Sequence, residues 1–338
     1  MKRFLIGVVV LGGLLLGLFA GWQYVLSPID PAAGMQEFEV EAGWSGNRIA
    51  EALADAGLVR SKEIVQLYFR LEQQDRGLGE GLYDLSAAQS VPEIIATLQQ
   101  PGRPRVVTLT FPEGWRERAV VDRLSASGHW PREALETALA TPGTWAPEWF
   151  PNPETGLEGY LFPDTYHIPE KYGAEEALAL FLARFATELT PELEAATAQA
   201  GLSMHEWVIL ASVVQAEAAN DSEMPIIAGV FLNRLALGMP LQSDPTAIYE
   251  SGKPLPELTA ADLRVPNPWN TYTEPGLPRG PINNPGGAAL HAIEHAVYHD
   301  EHGNEYLYFL HGTDNGEPVF RPNTSLAAHN RDIDRYLR

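Results

Sequence analysis

The sequence predicts an α+β fold in which a small N-terminal module precedes a larger, mainly helical domain with a β-rich edge. Three patterns predict it. Between Glu37 and Gln100 short strand-like and helix-like runs alternate. From Ala174 to Gly238 apolar residues recur at helical spacing. Near the far end, EYLYFLHGTDNGEPVF reads as two strands joined at Asn315-Gly316, a pair suited to a tight hairpin turn. With 338 residues, 45% of them hydrophobic, the chain is long enough for two domains with a sizeable core.

The first element is an uncharged run from Phe4 to Leu26 behind Lys2 and Arg3, long enough to cross a bilayer as a helix, with Trp22 and Tyr24 near its far end. The next basic residue is Arg48, so the charge asymmetry places the N-terminus in the cytoplasm and the rest outside. A cleaved signal peptide competes, because glycines interrupt the run and Ala20 suits a cleavage site. Leu18 is a poor residue for such a site and the run continues past Ala20, which favours a membrane anchor over residues 1–27. The expected location is the cell (inner) membrane, spanned once, with the bulk of the chain on the extracytoplasmic side.

A Pro-containing linker over residues 28–36 leads to a region expected to span residues 37–143. Phe38 and Val40 suggest a strand, Ile49, Ala50, Leu53 and Ala54 a helical face closing near Gly57, and a second helix starts from Ser61. GEGLYDLS reads as a return strand before a helix begun by Ser90 and Pro92. This β-α-α-β order resembles the LysM-like module of envelope proteins that touch glycan strands. An echo follows, since FEVEAGWSGNRIAEALADAGLV aligns with LTFPEGWRERAVVDRLSASGHW, Gly43 over Gly114, Trp44 over Trp115 and Gly57 over Gly128. It is read either as an internal repeat or as chance similarity between two βα units. The domain joint is expected within Thr141–Leu157, so that residues 144–338 form the second domain. Its opening segment, rich in Trp, Pro and Gly, ends in LEGYLFPDTYHIP, whose aromatics, Tyr160 among them, either pack or offer flat faces to sugar rings.

Composition excludes several classes of function. A net charge of −21 and a pI near 4.8 leave no basic face for nucleic acid. The absence of cysteine removes disulfides, thiolate metal sites and a catalytic thiol. His291, His295, His299 and His302 have a spacing that invites a metal reading, but they lie in an acidic stretch that reads as solvated surface.

Ile209 to Tyr249 is the stretch with chemistry in it. Leu210, Val213, Val214 and Glu217 fall at i, i+3, i+4 and i+7, so one carboxylate shares an apolar stripe. Apolar neighbours disfavour its charged form and let it keep a proton near neutral pH, as a general acid must. Asp221 or Ser222 is expected to cap the next helix, with Pro225 in its first turn and Gly238 at its end. In LQSDPT, Gln242 and Asp244 either bind sugar hydroxyls or an N-acetyl group, position Glu217, or merely form the turn. Asn233 either reaches the cleft or bonds a loop. Glu158 and Asp164 read as structural acids, Asp164 bonding local backbone N–H groups. The Gly/Pro/Asn-rich loop NPWNTYTEPGLPRGPINNPGGAAL, with Trp269, Tyr272 and Leu277, is expected to wall a cleft. After it come a helix at Ala288–His295 and, following the hairpin, a last helix carrying His329 and Asn330.

These segments, namely EGYLFPDTY at Glu158–Tyr166, LASVVQAEA at Leu210–Ala218, FLNRL at Phe231–Leu235, LQSDPT at Leu241–Thr246, NTY at Asn270–Tyr272, GLPRGPINNPG at Gly276–Gly286 and LYF at Leu307–Phe309, together resemble the YceG-like family of endolytic murein transglycosylases. The resemblance implies cleavage of peptidoglycan glycan strands between N-acetylmuramic acid and N-acetylglucosamine, leaving a 1,6-anhydro end, with Glu217 as catalytic acid and then base. Gln242, Asp244, Asn233, Tyr272 and Tyr160 are the substrate-binding candidates. Glycan strands, the membrane and cell-wall synthases are the partners in this reading, and the chemistry requires neither cofactor nor metal. Two positions depart from the family pattern: Gln215 stands where many relatives carry an acid, and Pro318 where many carry a histidine. A hydrolytic muramidase and a non-catalytic glycan-binding scaffold are the alternatives.

Overall fold

The structure, a computed structural model, describes residues 2–72 and 78–337, with side chains from Leu11 onward. The chain divides into two compact units, Met1–Val106 and Val107–Arg338.

In the first unit, α1 (Lys2–Leu26) is followed by β1 (Met35–Val40), α2 (Gly46–Asp55), α3 (Lys62–Glu72), β2 (Gly81–Ser86) and α4 (Val91–Leu98). β1 and β2 pair antiparallel with Phe38 opposite Tyr83, and both side chains enter a core built from Ile49, Leu53, Val65, Leu85, Ile94 and Leu98. The β-α-α-β order expected here is present. The Ser90 side chain and the N3 residue Glu93 form a capping box at the start of α4. Leu26, the last residue of α1, is buried in the same core. Among the described residues no helix is long and apolar enough to cross a membrane. The expected anchor begins within residues 1–10, whose side chains lie outside those described.

The second unit opens with β3 (Val106–Thr110), α5 (Glu117–Ala126) and α6 (Arg132–Ala140), then β4 (Thr165–Pro169), α7 (Ala174–Ala186) and α8 (Pro191–Gln199). Next come α9 (Met204–Glu217), α10 (Met224–Ala236), the single turn α11 (Asp244–Ala247) and α12 (Gly287–His291). The hairpin β5 (Tyr308–Asp314) and β6 (Glu317–Asn323) and the helix α13 (Leu326–Tyr336) complete it. β3 pairs with β4, and β5 with β6. Asn315 and Gly316 both take positive φ, 52° and 88°, as the hairpin turn requires.

The two echoed segments adopt the same local path of strand, turn and helix. Gly57 and Gly128 each follow the helix cap at positive φ, 69° and 82°, where a side chain would strain the backbone.

Three expectations are corrected. The joint does not fall within Thr141–Leu157, because Leu109, Phe111, Val120, Leu124, Trp130 and Leu135 share one core with Phe181, Phe185 and Trp207. The helix expected at Ala288–His295 stops at His291. The helix after Glu217 is capped by neither Asp221 nor Ser222: Glu223 occupies the N-cap, and its carboxylate accepts hydrogen bonds from the Ala219 N–H (2.9 Å) and the Asn220 amide (2.9 Å).

α9 is the spine of this unit. Every residue from Trp207 to Val214 is buried, so the helix has no solvent face and no single apolar stripe. The loop 281–286 runs along it through polar bonds: Ile282 N–H donates to Ser212 Oγ (3.0 Å) and the Asn283 amide to the Ser212 carbonyl (2.8 Å). Asn284 joins the segments around it. Its Oδ1 accepts from Gly159 N–H and Leu161 N–H, both at 2.9 Å, and its amide donates to the Trp115 carbonyl (2.9 Å) and Glu158 Oε1 (3.2 Å). Gly159 is required here: at φ 92° a Cβ would come within 2.7 Å of the Val208 side chain.

Glu158, 5% exposed, accepts at Oε1 from Glu117 N–H (2.9 Å) and at Oε2 from the Tyr249 hydroxyl (3.0 Å). Burial first, and then the Glu117 carboxylate, push its pKa up to about 8. Asp164 accepts from Thr165 N–H (2.7 Å), as expected, and pairs with Arg184.

Asn284→Ala removes four hydrogen bonds from a buried junction and is expected to cost about 4 kcal/mol, at roughly 1 kcal/mol per bond, measured by denaturant unfolding. Glu158 has a folded pKa above the unfolded value, so folding takes up a proton and stability drains away as pH climbs from 4.5 to about 8. Glu158→Gln is expected to flatten that decline in melting experiments across the same window.

Candidate active site

α9 runs C-terminally into a cleft of about 450 Å³ lined by Glu217, Arg234, Leu241, Gln242, Asp244, Tyr272, Tyr308, His311 and His329, among others. Glu217 is the last residue of the helix, where the dipole's negative end disfavours a carboxylate. Its half-buried side chain accepts a 2.6 Å hydrogen bond at Oε1 from the Ser243 hydroxyl. Desolvation is the largest influence on it and the Asp244 carboxylate adds to it, while the Ser243 bond and the charge of His311 oppose. The net result is a pKa raised to about 7.

The local sequence explains how Ser243 reaches it. Gln242 sits at φ 51°, a left-handed conformation that a long side chain seldom takes, and its N–H donates to the Thr271 carbonyl (3.2 Å). Ser243 N–H donates to Thr271 Oγ1 (3.0 Å), and Thr246 Oγ1 lies 2.8 Å from the same oxygen. Ser243, Thr246, Asn270 and Thr271 are all nearly or fully buried. LQSDPT and NTY are therefore two halves of one interlocked turn. Asp244 Oδ1 accepts from the Tyr272 hydroxyl at 2.6 Å, and burial together with Asp244 raises the pKa of that tyrosine.

Of the substrate-binding residues expected from sequence, Gln242, Asp244 and Tyr272 line this cleft with Glu217, and two do not. Asn233 faces away, its amide donating to the Tyr298 (2.8 Å) and Tyr306 (3.0 Å) carbonyls, so it holds the loop before the hairpin. Tyr160 is fully buried among Phe150 and Phe185, with its hydroxyl hydrogen-bonded to His205 Nδ1 at 2.9 Å. Both are framework residues.

Sequence reasoning missed Ser243, Arg234, Tyr308, His311 and His329. Arg234 is the neighbour of Asn233 in FLNRL and is the member of that pair that borders the cleft. Its guanidinium donates from Nε to the Leu307 carbonyl (2.7 Å) and from Nη1 to the Leu241 carbonyl (2.8 Å), under the Tyr308 ring. His329 stacks on the other residue of that group, Tyr308, at 5.3 Å. Of the two departures from the family pattern, Gln215 accepts from Gly286 N–H (2.8 Å) and so fastens α9 to the loop 281–286, and Pro318 pairs with Thr313 in the hairpin. His291 is held between Glu188 and Glu294, and among the described residues no cluster of three or more His, Cys, Asp or Glu side chains could hold a metal ion.

A model of the YceG-like family matches residues 38–335. The chain belongs to the YceG-like family. Two relatives are named endolytic murein transglycosylase. The one from Streptococcus pneumoniae serotype 2 is 30% identical over 99% of this chain and 65% of its own length. The one from Bacillus subtilis is 27% identical over 95% of this chain and 90% of its own. This chain thus spans about 65% of the length of the streptococcal relative. A crystal structure of a YceG-like protein from Listeria monocytogenes, 28% identical, superposes with a TM-score of 0.57 over 89% of this chain and 99% of that one.

Carbon-13 NMR titration of the labelled Glu217 carboxyl is expected to show a midpoint near 7. Asp244→Asn removes a like charge and is expected to lower that midpoint. Ser243→Ala removes a bond to the charged form and is expected to raise it.

Proposed function

We propose that this YceG-like chain is a lytic transglycosylase that cleaves peptidoglycan glycan strands endolytically between N-acetylmuramic acid and N-acetylglucosamine, leaving 1,6-anhydro-muramyl ends. The observation that carries the reading is Glu217: a desolvated carboxyl with a pKa near 7, opening on a cleft and kept in place by Ser243. Such a group is protonated for a useful fraction of the time at neutral pH and is ready to give its proton to the bridging glycosidic oxygen. Once ionised, it is stabilised by the same Ser243 hydroxyl and serves to take a proton from the muramyl 6-hydroxyl as that oxygen closes on C1. Atoms balance without water, since the leaving sugar gains one hydrogen and the retained sugar loses one.

Around the acid, Gln242 and the Asp244–Tyr272 pair offer hydrogen bonds to hydroxyl and N-acetyl groups, and Arg234 supplies positive charge at the edge of the cleft. The names of the streptococcal and Bacillus relatives support this chemistry. In the same reading the apolar run from Phe4 to Leu26 anchors the chain in the cell membrane, and the LysM-like part of the first unit helps to hold the strand, with the catalytic region in the second unit, Val107–Arg338. Cell-wall synthases are the partners that such an anchored enzyme would work beside.

One observation favours a second reading. Asp244 is a second carboxylate in the cleft, and with two carboxylates a water molecule is an available nucleophile, which makes a hydrolytic muramidase.

Digestion of purified glycan strands followed by mass measurement decides between the two, because anhydro ends are lighter by one water than hydrolysed ends. Glu217→Gln is expected to lower the rate by about a thousandfold or more, as for loss of an essential acid. The wild-type rate is expected to fall as pH rises through about 7, where Glu217 loses its proton. Full cleavage by Glu217→Gln overturns the assignment of Glu217 as the acid, and full cellular effect without any cleavage favours a glycan-binding scaffold.

A further inference from the structure

Arg234 borders the same cleft, and the chemistry above gives its charge no partner. It falls on α10 within FLNRL, and at 7% exposure it is almost wholly withdrawn from water. A cation so placed is costly unless an anion meets it. Among the described residues Arg234 joins no ion pair, and the carboxyl that acts on its charge is Glu217, which has to hold its proton to serve as the acid. No other Lys or Arg is among the described lining of the cleft. The guanidinium is held instead by neutral carbonyls: Nε donates to Leu307 (2.7 Å), and Nη1 to Pro240 (3.2 Å) and Leu241 (2.8 Å). Those bonds fix its plane and leave its charge unmet. Nη2 donates to no described residue, yet it is not one of the polar atoms sealed from solvent without a partner. Its opening is the cleft, because the groups that act on the guanidinium charge are Tyr308, Tyr272 and Glu217, all cleft residues, and the Tyr308 ring lies 5.1 Å from Cζ.

We propose that Arg234 is a carboxylate subsite, and that its Nη2 edge takes a carboxylate carried by the muramyl residue whose C1–O4 bond is broken. The inference rests on the transglycosylase reading of the same cleft, whose polymer supplies such groups. N-acetylglucosamine is uncharged, and muramic acid differs from it by a lactyl ether at C3. On strands stripped of peptide the lactyl carboxyl is free and anionic. On peptide-bearing strands it is an amide, and the anions are the carboxylates of the stem peptide. Both sources offer the same charge-assisted hydrogen bond to a guanidinium already fixed in its plane. Arg234 moves no proton in this assignment, so Glu217 remains acid and then base. Its effect is on specificity. The substituent at C3 belongs to the same ring as the C1 under attack, so holding it selects which of the two alternating linkages of the strand is presented to Glu217. A sugar without an anion leaves the buried cation unpaired and binds less well for that reason.

The test uses the full chain on two pairs of purified strands: peptide-free strands with the lactyl carboxyl free or converted to its methylamide, and peptide-bearing strands with the peptide carboxyls free or amidated. Wild type is expected to prefer the free acid by about tenfold in kcat/KM in one pair, mostly through KM, the scale of one hydrogen bond to a charged group. The pair that shows the preference names the source of the carboxylate. Arg234→Gln is expected to cut that preference to within about twofold, which a side chain that merely braced the carbonyls would not do. A preference below about twofold in both pairs, or one that survives in a folded Arg234→Gln, overturns the proposal. If Arg234→Gln does not fold, as judged by its melting curve, salt decides with wild type alone: the preference is expected to shrink as ionic strength rises, and one indifferent to salt overturns the subsite. Anhydro products formed equally well from all four strands would sink this inference and leave the transglycosylase intact. Products heavier by one water, with the preference kept, would do the reverse, and no cleavage of any strand overturns both.

Discussion

A helix buried on every side is the constraint from which the rest of the second unit follows. With Trp207 to Val214 packed all round, α9 has only its ends to offer to water, and its C-terminal residue is the acid. The core thus delivers a carboxyl to the edge of a cleft at the helix end where the backbone itself disfavours negative charge. The same burial forbids unpaired polar groups along the helix, so the loop 281–286 meets Ser212 with hydrogen bonds to its hydroxyl and carbonyl. A proton-holding acid and a loop rich in asparagine are two outcomes of one packing decision.

Position and protonation of Glu217 are both controlled from the LQSDPT turn. The turn that carries Ser243 is locked to the NTY segment by the two buried hydroxyls of Thr246 and Thr271, and Gln242 accepts a strained backbone so that the serine reaches the acid at 2.6 Å. Asp244, one residue further, works against the serine: its charge favours the protonated acid while the hydroxyl favours the ionised one. A value near neutrality is the balance of these neighbours with desolvation. The arrangement joins segments far apart in sequence, which is why its parts look like unrelated motifs when read along the chain.

The sequence made Glu217, Gln242, Asp244 and Tyr272 legible as residues of one cleft because polar residues inside otherwise apolar or Pro-bounded motifs have few structural reasons to be there. Asn233 and Tyr160 met the same criterion and failed it. An asparagine satisfies carbonyls of an irregular loop as readily as it meets a ligand, and a tyrosine with a buried partner such as His205 is a core residue with a polar tip. His311 left no local trace as a cleft residue, since it sits at mid-strand and its partner Glu223 lies 88 residues earlier. The joint between units was misplaced for a comparable reason. The Trp/Pro/Gly-rich segment near residue 150 has a linker's composition, yet Phe150, Leu157 and Tyr160 are buried in the core, and the true division comes earlier, at Val106. Composition describes what a segment is made of, and burial depends on what it meets.

The hairpin that closes the cleft has a bearing on how the protein comes into being. Tyr308 and His311 follow Glu217 by some ninety positions, and Arg234 donates a hydrogen bond to the Leu307 carbonyl. While a ribosome is still extending the chain, the helix bearing the acid is already made, but the opposite side of the groove is not. The cleft is therefore completed late in translation, and a nascent polypeptide carries Glu217 on its helix before the wall formed by Tyr308 and His311 exists.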